Sequence, residues 1–395
     1  MIVFLASLSI ITWNIAGYPF FVKVLAGRRE PFASRNILPS PRVTALVAAH
    51  NEETEIGERV ANLLENGSAR LLEVIVISDG STDRTAECAR DAGARVIELP
   101  RGGKIRALHE GVSAAAGDVL VITDANTRFE TGAVDLLVEP LRDPDVGIAA
   151  GDLRYSNPAE AGSAEGENLY WKYETMIKTY ASDSGLLLMG AGGIYAVRKE
   201  DWPAALETDL ADDSYVPLSL HRAGRRNIFV RDAVAYERAG TAMREEWRRR
   251  VRMVAQDIRV ARSLTFGLPN PLTCFALVSQ KAIRWFLFPL GLLALVSARP
   301  ASRVFEKSAA MRPVAIACRS ALPLSTAVLL TGSIAAWTGR RIPVISAVCY
   351  LAGATAAAFI GALSGLFGRS QASWEKAAST RRACSPETGP LRSGR

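Results

Sequence analysis

The sequence predicts an α/β domain built on a mostly parallel sheet, with apolar helices before and after it. Three observations lead there. Between Val43 and Gly151, short apolar runs alternate with stretches of helical apolar spacing. A polar cluster follows three of those runs. Acidic residues crowd the stretch from Glu30 to Asp257 and almost vanish from residues 1–26 and from Pro271 to Phe367, a contrast that separates a water-facing domain from membrane segments. With 395 residues, 49% of them hydrophobic, the chain has material for one large or two ordinary domains and a full core.

The first element, Ile2 to Ala26, carries a single charge at Lys23 and has the roughly 20 uncharged residues that span hydrocarbon. No charge precedes Lys23, so residues 1–27 read as a retained anchor rather than a cleaved leader. The Arg28–Arg29 pair then predicts a cytoplasmic position for the domain after it. Residues 28–42 form a Pro-punctuated linker into a domain at 43–265. Strands are expected at "VTALVAA" from Val43, "EVIVIS" from Glu73, "ARVIEL" from Ala94, "DVLVIT" from Asp118 and "VGIAAG" from Val146. Helices are expected between the first four. "NEETEIGERVANLLEN" puts Ile56, Val60, Leu63 and Leu64 on one face, "STDRTAECARDAG" opens on a Ser/Thr/Asp cap, and "GGKIRALHEGVSAAAG" closes at a glycine.

Strand alternating with helix implies a sheet covered on both faces, with ligands bound outside the carboxyl ends of its strands. That edge receives "AHNEE", "SDGSTD" and "TDAN". No GxGxxG follows the first strand and no GxxxxGK[ST] occurs anywhere, which argues against a dinucleotide fold or a P-loop.

After the domain, Pro271 to Trp285 carries Lys281 and Arg284 beside aromatics, so residues 266–285 read as an amphipathic helix along a membrane interface. Phe286 to Ala298, Val314 to Trp337 (interrupted by Arg319) and Ile342 to Phe367 are apolar, giving a membrane region over 286–368. Arg369, Lys376, Arg381 and Arg382 in the basic tail, 369–395, favour a cytoplasmic end, whereas Arg340 and Arg341 pull the other way. The number of crossings therefore stays open. The net charge of +7 gathers beside apolar segments and in "REEWRRRVRMVAQDIRVAR", which points to anionic lipid headgroups rather than nucleic acid. Five cysteines (Cys88, Cys274, Cys318, Cys349, Cys384) form no CxxC and argue against a disulfide framework or a zinc site. His109 and His221 lack metal spacing and read as structural.

From Val43 to Trp285 the ordered motifs resemble those of the family 2 inverting glycosyltransferases, the GT-A-fold group that includes cellulose, chitin and hyaluronan synthases. "ALVAAHNEE" is similar to the family's opening strand, with Ala49 and His50 where Pro and Tyr are usual. "ISDGSTDRTAE" resembles a DDGSTD element with Ser78 at its first acid, and "RGGKIRALHEGVSAAAGDVLVITDAN" resembles the stretch that runs into an acid-x-acid metal motif. "AGGIYAVRKE" resembles the acceptor-side loop and "LADDSYVPLSLHRAG" the segment that carries the general base.

The resemblance implies a membrane-bound, multi-pass enzyme of the inner membrane with a cytoplasmic GT-A domain. It would move sugar from a nucleotide sugar, UDP-linked in this reading, to a polysaccharide or lipid-linked acceptor, alongside export or polymerisation partners. A divalent ion, Mg or Mn, would stabilise the departing diphosphate as a Lewis acid. Asp124 is the carboxylate expected to hold it, with Asn126 as an uncharged second ligand; the alternative for "TDANT" is a simple turn. His50, Asn51, Glu52 and Asp79 are expected at the base or ribose, although a capping role alone would explain Asn51 and a turn would explain Asp79. Asp83 serves either the nucleotide or a helix cap. Lys104 is a phosphate or nucleotide contact or a solvated lysine. Inversion needs a base for the acceptor hydroxyl; Asp213 takes that role with Asp212 as its neighbour, against simple N-capping. The family's QxxRW element aligns on Arg249, Arg252 and Met253. Only its arginine survives, which leaves Arg252 for the pyrophosphate and divides Arg248–Arg250 between phosphate and membrane surface. The rival readings are a transferase to polyprenyl phosphate or another lipid, and a non-catalytic protein that binds nucleotide sugars.

Overall fold

The computed structural model describes residues 1–28, 38–66, 68–156, 164–190, 192–203, 210–238, 243–264, 271–337 and 342–368. Most of the expected linker, Arg340 and Arg341, Ala191 of the expected acceptor-side loop, and the basic tail lie outside them.

In chain order, an apolar pair of helices α1 (Ile2–Thr12) and α2 (Tyr18–Ala26), joined by a π-helical turn at Trp13–Gly17, precedes β1 (Val43–Ala49). Then come α3 (Ile56–Leu64), β2 (Leu71–Asp79), α4 (Thr85–Asp91), β3 (Arg95–Leu99), α5 (Lys104–Ala114) and β4 (Val119–Asp124). The second half holds β5 (Arg128–Phe129), α6 (Ala133–Val138), β6 (Val146–Tyr155), α7 (Ala164–Asp183), β7 (Ile194–Arg198), α8 (Asp212–Arg222), β8 (Arg226–Glu237) and α9 (Met243–Leu264). Six further segments close the described chain: α10 (Pro271–Leu277), a second π-helical turn at Val278–Ala282, α11 (Ile283–Trp285), α12 (Leu287–Phe305), α13 (Arg312–Trp337) and α14 (Pro343–Leu366).

All five expected strands and the three expected helices are present. The sheet runs β3-β2-β1-β4-β7-β6-β8-β5. Its first four strands are parallel, as the strand–helix alternation requires. The expected mostly parallel sheet is present, for β6 and β8 are parallel to each other and share the direction of the first four strands, while β7 runs antiparallel to both β4 and β6, and β5 antiparallel to β8. The sheet is therefore mixed. β1 is buried at every position, the mark of a central strand covered on both faces and the reason its sequence is a continuous apolar run.

Two apolar layers cover the sheet. On one face β1 offers mostly small residues, and Ala45, Val47 and Ala49 share a cluster with Ile56, Val60 and Leu63 of α3 and with Val134 and Leu137 of α6. On the other, Leu46 and Ala48 cluster with Ala107 and Leu108 of α5 and Val216 of α8. The α3 face differs from its expected composition in one place. Leu64 is 48% exposed, and Arg59 takes the buried position instead. A third cluster unites Tyr18 and Val22 of α2 with Ile105, Ile177, Leu218, Val260 and Ala276. The first apolar segment is thus packed into the α/β domain rather than merely tethered to it. Asn14 Nδ2 donates to the Ser279 carbonyl oxygen (2.7 Å) and Trp13 Nε1 to Ser279 Oγ (3.2 Å), so the two π-helical turns face each other.

Three helical segments are long and apolar enough to cross a membrane: Ile2–Ala26, Ala309–Gly332 and Val344–Leu366. Counting Pro271–Trp285 and Leu287–Phe305, bent by 66°, as one broken span gives a fourth. The apolar segment expected at Phe286 to Ala298 extends to Phe305. Arg319, the charge inside α13, is paired with Glu306 just after α12.

Helix α9 is clamped by α14. Val254 and Ile258 pack with Ala358 and Ala362, and a side chain at Gly361 or Gly365 would meet the Val251 or Ala255 carbonyl oxygen at 2.6 Å. Small residues four apart let two helix backbones approach closely. Replacing Gly361 by Val is expected to cost about 1–3 kcal/mol, read as a fall in the thermal midpoint of the detergent-purified protein. An unchanged midpoint would mean that the close approach contributes nothing.

Candidate active site

The carboxyl edge is assembled from the ends of β1, β2 and β4 and the start of α8. Asp79, the last residue of β2, is 1% exposed, and both its carboxylate oxygens are engaged. Gly102 N donates to Oδ1 (2.7 Å), Gly103 N to Oδ2 (2.9 Å) and Arg101 Nη1 to Oδ2 (3.2 Å). The loop before α5 can dock this closely because Gly80, at φ +65°, has no side chain; a Cβ there would meet Arg101 N at 2.7 Å.

The first polar cluster is knitted to the second. His50 Nδ1 donates to the Asp79 carbonyl oxygen (2.9 Å). Asn51 adopts φ 54°, a conformation asparagine tolerates, and its Oδ1 accepts Thr82 N (2.8 Å). Glu52, 2% exposed, donates its backbone N–H to Thr85 Oγ1 (2.8 Å). Asp83 accepts the N–H groups of Thr85 (3.0 Å) and Glu53 (3.2 Å). Of the two readings for Asp83, the geometry displays the turn that starts α4.

Fixing residues 101–103 fixes the start of α5, and with it Lys104. Its Nζ lies 2.9 Å from Asp124 Oδ1 and 3.1 Å from Asp212 Oδ1. The solvated-surface reading of Lys104 is therefore incorrect: its side chain is only 16% exposed. Burial, the largest influence, lowers its pKa, but the Asp124 and Asp212 charges, the Asp124 hydrogen bond and Asp213 together carry it above the ordinary lysine value. Asp212 is engaged on both oxygens, since Tyr195 OH donates to its Oδ2 (2.9 Å). Burial foremost, and Asp212 next, raise the Tyr195 pKa, so the phenol stays a donor.

Asp213 is half-buried beside the loop before β7. Gly190 N donates to its carbonyl oxygen (2.8 Å), and a side chain at Gly192 would meet Asp213 Oδ2 at 3.0 Å. Burial first, then the charges of Asp212 and Asp257, push its carboxyl up to about 7, against Lys104 and Lys281. Asp257, on α9, accepts a hydrogen bond from Ser214 Oγ. Arg284 of α11 pairs with Glu174 of α7. Of the two cations expected to face lipid headgroups, Arg284 thus turns inward, and Lys281 lies near enough to Asp213 and Asp257 to oppose the upward shift that burial gives both.

Asp124 and Asn126 leave β4 together. Asn126 Nδ2 donates to Glu237 Oε1 (3.0 Å), and Glu237 faces Arg249 Nη2 of α9 at 3.8 Å. This orients the amide so that Asn126 Oδ1 is buried with no hydrogen-bond partner among the described residues. A carboxylate and, two residues on, an orphaned amide oxygen are hard-oxygen donors of the kind that Mg or Mn takes. Among the described residues no group of three or more His, Cys, Asp or Glu could hold a metal ion, so phosphate oxygens and water would have to complete the shell. The residues fit an ion of that kind. Arg252 sits half-buried on α9, one turn from Arg249. Met253 is 43% exposed, and Arg250 reaches Glu246 (2.9 Å) and lies over Tyr350 of α14.

Sequence reasoning missed Tyr195, Glu237, Asp257 and Arg59. Arg59, 2% exposed, donates to Thr123 Oγ1 (2.8 Å) and lies over the Phe129 ring, a buried cation behind Asp124. Its signal was a charge on the buried phase of an amphipathic helix. Tyr195 lay inside a quoted motif, but nothing in sequence shows that its hydroxyl meets Asp212.

A mixed sheet whose parallel half delivers carboxylates and a lysine to one edge defines the GT-A class of sugar-nucleotide transferases. The chain belongs to glycosyl transferase family 2, whose profile matches residues 44–201. It is 32% identical over 128 residues to an N-acetylglucosaminyltransferase of Bradyrhizobium elkanii, covering 30% of this chain and 70% of that protein. It is 27% identical over 229 residues to the poly-beta-1,6-N-acetyl-D-glucosamine synthase of Staphylococcus aureus strain COL, covering 53% of each. The chain spans only 57% to 63% of the length of other curated relatives it matches. The mannosyltransferase PcManGT from Pyrobaculum calidifontis, solved with GDP-Man and Mn2+, shares the fold with a TM-score of 0.65 at 21% identity, over 93% of this chain and 99% of that one.

Replacing Asp79 by Ala strands the Gly102 and Gly103 N–H groups at a cost of about 2–4 kcal/mol. The expected readout is a thermal midpoint lower by about 5–10 °C. Retention of the original midpoint would show that the loop is held by something else.

Proposed function

We propose that this chain is a membrane-anchored, inverting glycosyltransferase that passes a sugar from a UDP-linked donor to a polysaccharide or lipid-linked acceptor, with Asp213 as the general base. The observation that carries the reading is the meeting of Asp124, Lys104, Asp212 and Asp213 at one sheet edge. The relatives named for N-acetylglucosamine support UDP-N-acetylglucosamine as the first donor to test. The division into an anchor (1–27), linker (28–42), GT-A domain (43–265), interfacial segment (266–285), membrane region (286–368) and tail (369–395) belongs to the same proposal, as does a cytoplasmic catalytic domain at the inner membrane.

In this reading His50, Asn51, Glu52, Asp79 and Asp83 shape the nucleotide pocket, through the docked loops as much as by direct contact. Lys104 and Arg252 face the diphosphate, and Asp124 with Asn126 Oδ1 would hold a divalent ion. When bound, that ion supplies Lewis-acid stabilisation of the departing diphosphate. Asp213 accepts the proton of the acceptor hydroxyl as the new glycosidic bond forms on the face opposite the leaving group. Asp212 and Tyr195 hold Lys104 in place, and the Asp257 charge keeps Asp213 basic enough to act near neutrality.

The test is donor turnover by purified membranes with a panel of UDP-, GDP- and dTDP-sugars. Asp213→Asn should lower turnover by about 10²–10⁴ while donor binding persists; full turnover in that variant would remove Asp213 from the chemistry. The base must be ionised, and a raised carboxyl pKa means it is protonated over a wider acidic range. kcat/KM should therefore fall as pH drops through about 7, and Asp257→Asn should move that limb to lower pH. A limb near the ordinary carboxylate range in the unaltered enzyme would contradict the assignment.

A further inference from the structure

Lys104 occupies ground that a bound cation would also claim. Its ammonium group is 2.9 Å from Asp124, the carboxylate assigned to the metal, and 3.1 Å from Asp212. We propose that Lys104 is an internal counter-ion that sits on Asp124 in the free enzyme and is drawn off by the donor diphosphate, so that the divalent ion binds together with the nucleotide rather than before it. This rests on the metal assignment of Asp124 and Asn126.

Four features of the site carry it. The base of the Lys104 side chain is fixed, because Asp79 pins Gly102 and Gly103, while its four-carbon stem can swing the charge between partners. Asp212 is held separately by Tyr195 (2.9 Å), so the ammonium keeps one carboxylate when it leaves the other. Asn126 contributes an oxygen and no charge. The two carboxylates are balanced by the Lys104 ammonium and by Arg59, the buried cation behind Asp124, which leaves a weak attraction for a divalent ion that must also tolerate a neighbouring cation. A diphosphate changes both conditions, since it offers the ammonium a new anionic partner and adds at least two negative charges to the ion's surroundings. A second acid at position 126 would have made the free site more negative, so this sequence depends more heavily on the exchange than one with an acid-x-acid pair.

The test uses the full chain purified in detergent, with Mn2+ titrated by loss of the free-ion EPR signal. The proteins compared are wild type, Lys104→Met, Lys104→Arg and Asp124→Asn, each with and without UDP. Without nucleotide, Lys104→Met should bind Mn2+ about tenfold or more tightly than wild type. Lys104→Arg should behave as wild type because it keeps the charge, and Asp124→Asn should lose binding. UDP should raise Mn2+ affinity far more in wild type than in Lys104→Met. Equal Mn2+ affinity of wild type and Lys104→Met without nucleotide would overturn the proposal and leave the metal assignment intact. No Mn2+ binding by any of the proteins, even with UDP, would remove the metal assignment and the proposal together. Lys104→Gln, which preserves hydrogen bonding to the carboxylates, replaces Lys104→Met if the latter does not fold.

Discussion

The Lys104 ammonium ties β4 to α8 by pairing with Asp124 and Asp212 at once. Two carboxylates and a lysine that are largely out of water are costly singly, and stable only while each charge has its partners. The rest of the edge is arranged to keep them. Asp79 holds the loop that begins α5, Gly80 lets that loop come close, and Tyr195 satisfies the remaining oxygen of Asp212. Asp213, the adjacent residue, is then left outside this pairing, with burial and the Asp257 charge acting on it. One residue of helical rotation separates a positioning carboxylate from a proposed base.

The parallel half of the fold was legible because its physics is local. Apolar runs of strand length, amphipathic helices and polar clusters at strand ends are all patterns along the chain, and β1 to β4 followed them closely. The second half was not, since β7, antiparallel to β4 and β6, and β8, parallel to β6, take their directions from long connections that leave no periodic trace. The site divides in the same way. Asp124, Asp212 and Asp213 stood in motif order, whereas Tyr195, Glu237 and Asp257 act through contacts with residues 17, 111 and 43 positions away. Lys104 was visible as a residue at a helix start, but its partners were not. The same limit applies to Asp83, where capping and nucleotide contact leave an identical sequence signal and only the hydrogen bonds to Thr85 and Glu53 reveal the turn.

The apolar helices are part of the site's support. Tyr18 and Val22 pack in the same cluster as Ile105 of α5, one residue from Lys104. The facing π-helical turns lock α1 and α2 to the segment that carries Lys281 and Arg284. Each such turn inserts an extra residue into the helical ladder and so rotates everything after it, which is a physical means of pointing those cations at Glu174 and Asp213 rather than outward. Arg249 joins the Asn126–Glu237 pair to α9, and α9 in turn leans on α14.

That last contact sets an order of events during synthesis. Arg262 of α9 donates to the Leu366 carbonyl oxygen of α14, 104 residues further along the chain. At ordinary elongation rates the ribosome needs on the order of 5–20 s to cover that distance. For that interval the sheet can be complete while the helix bearing Asp257 and Arg249 still lacks its backing. The wall that α9 contributes beside Asp213 and Asn126 is thus backed last, by an apolar helix delivered after every strand of the sheet.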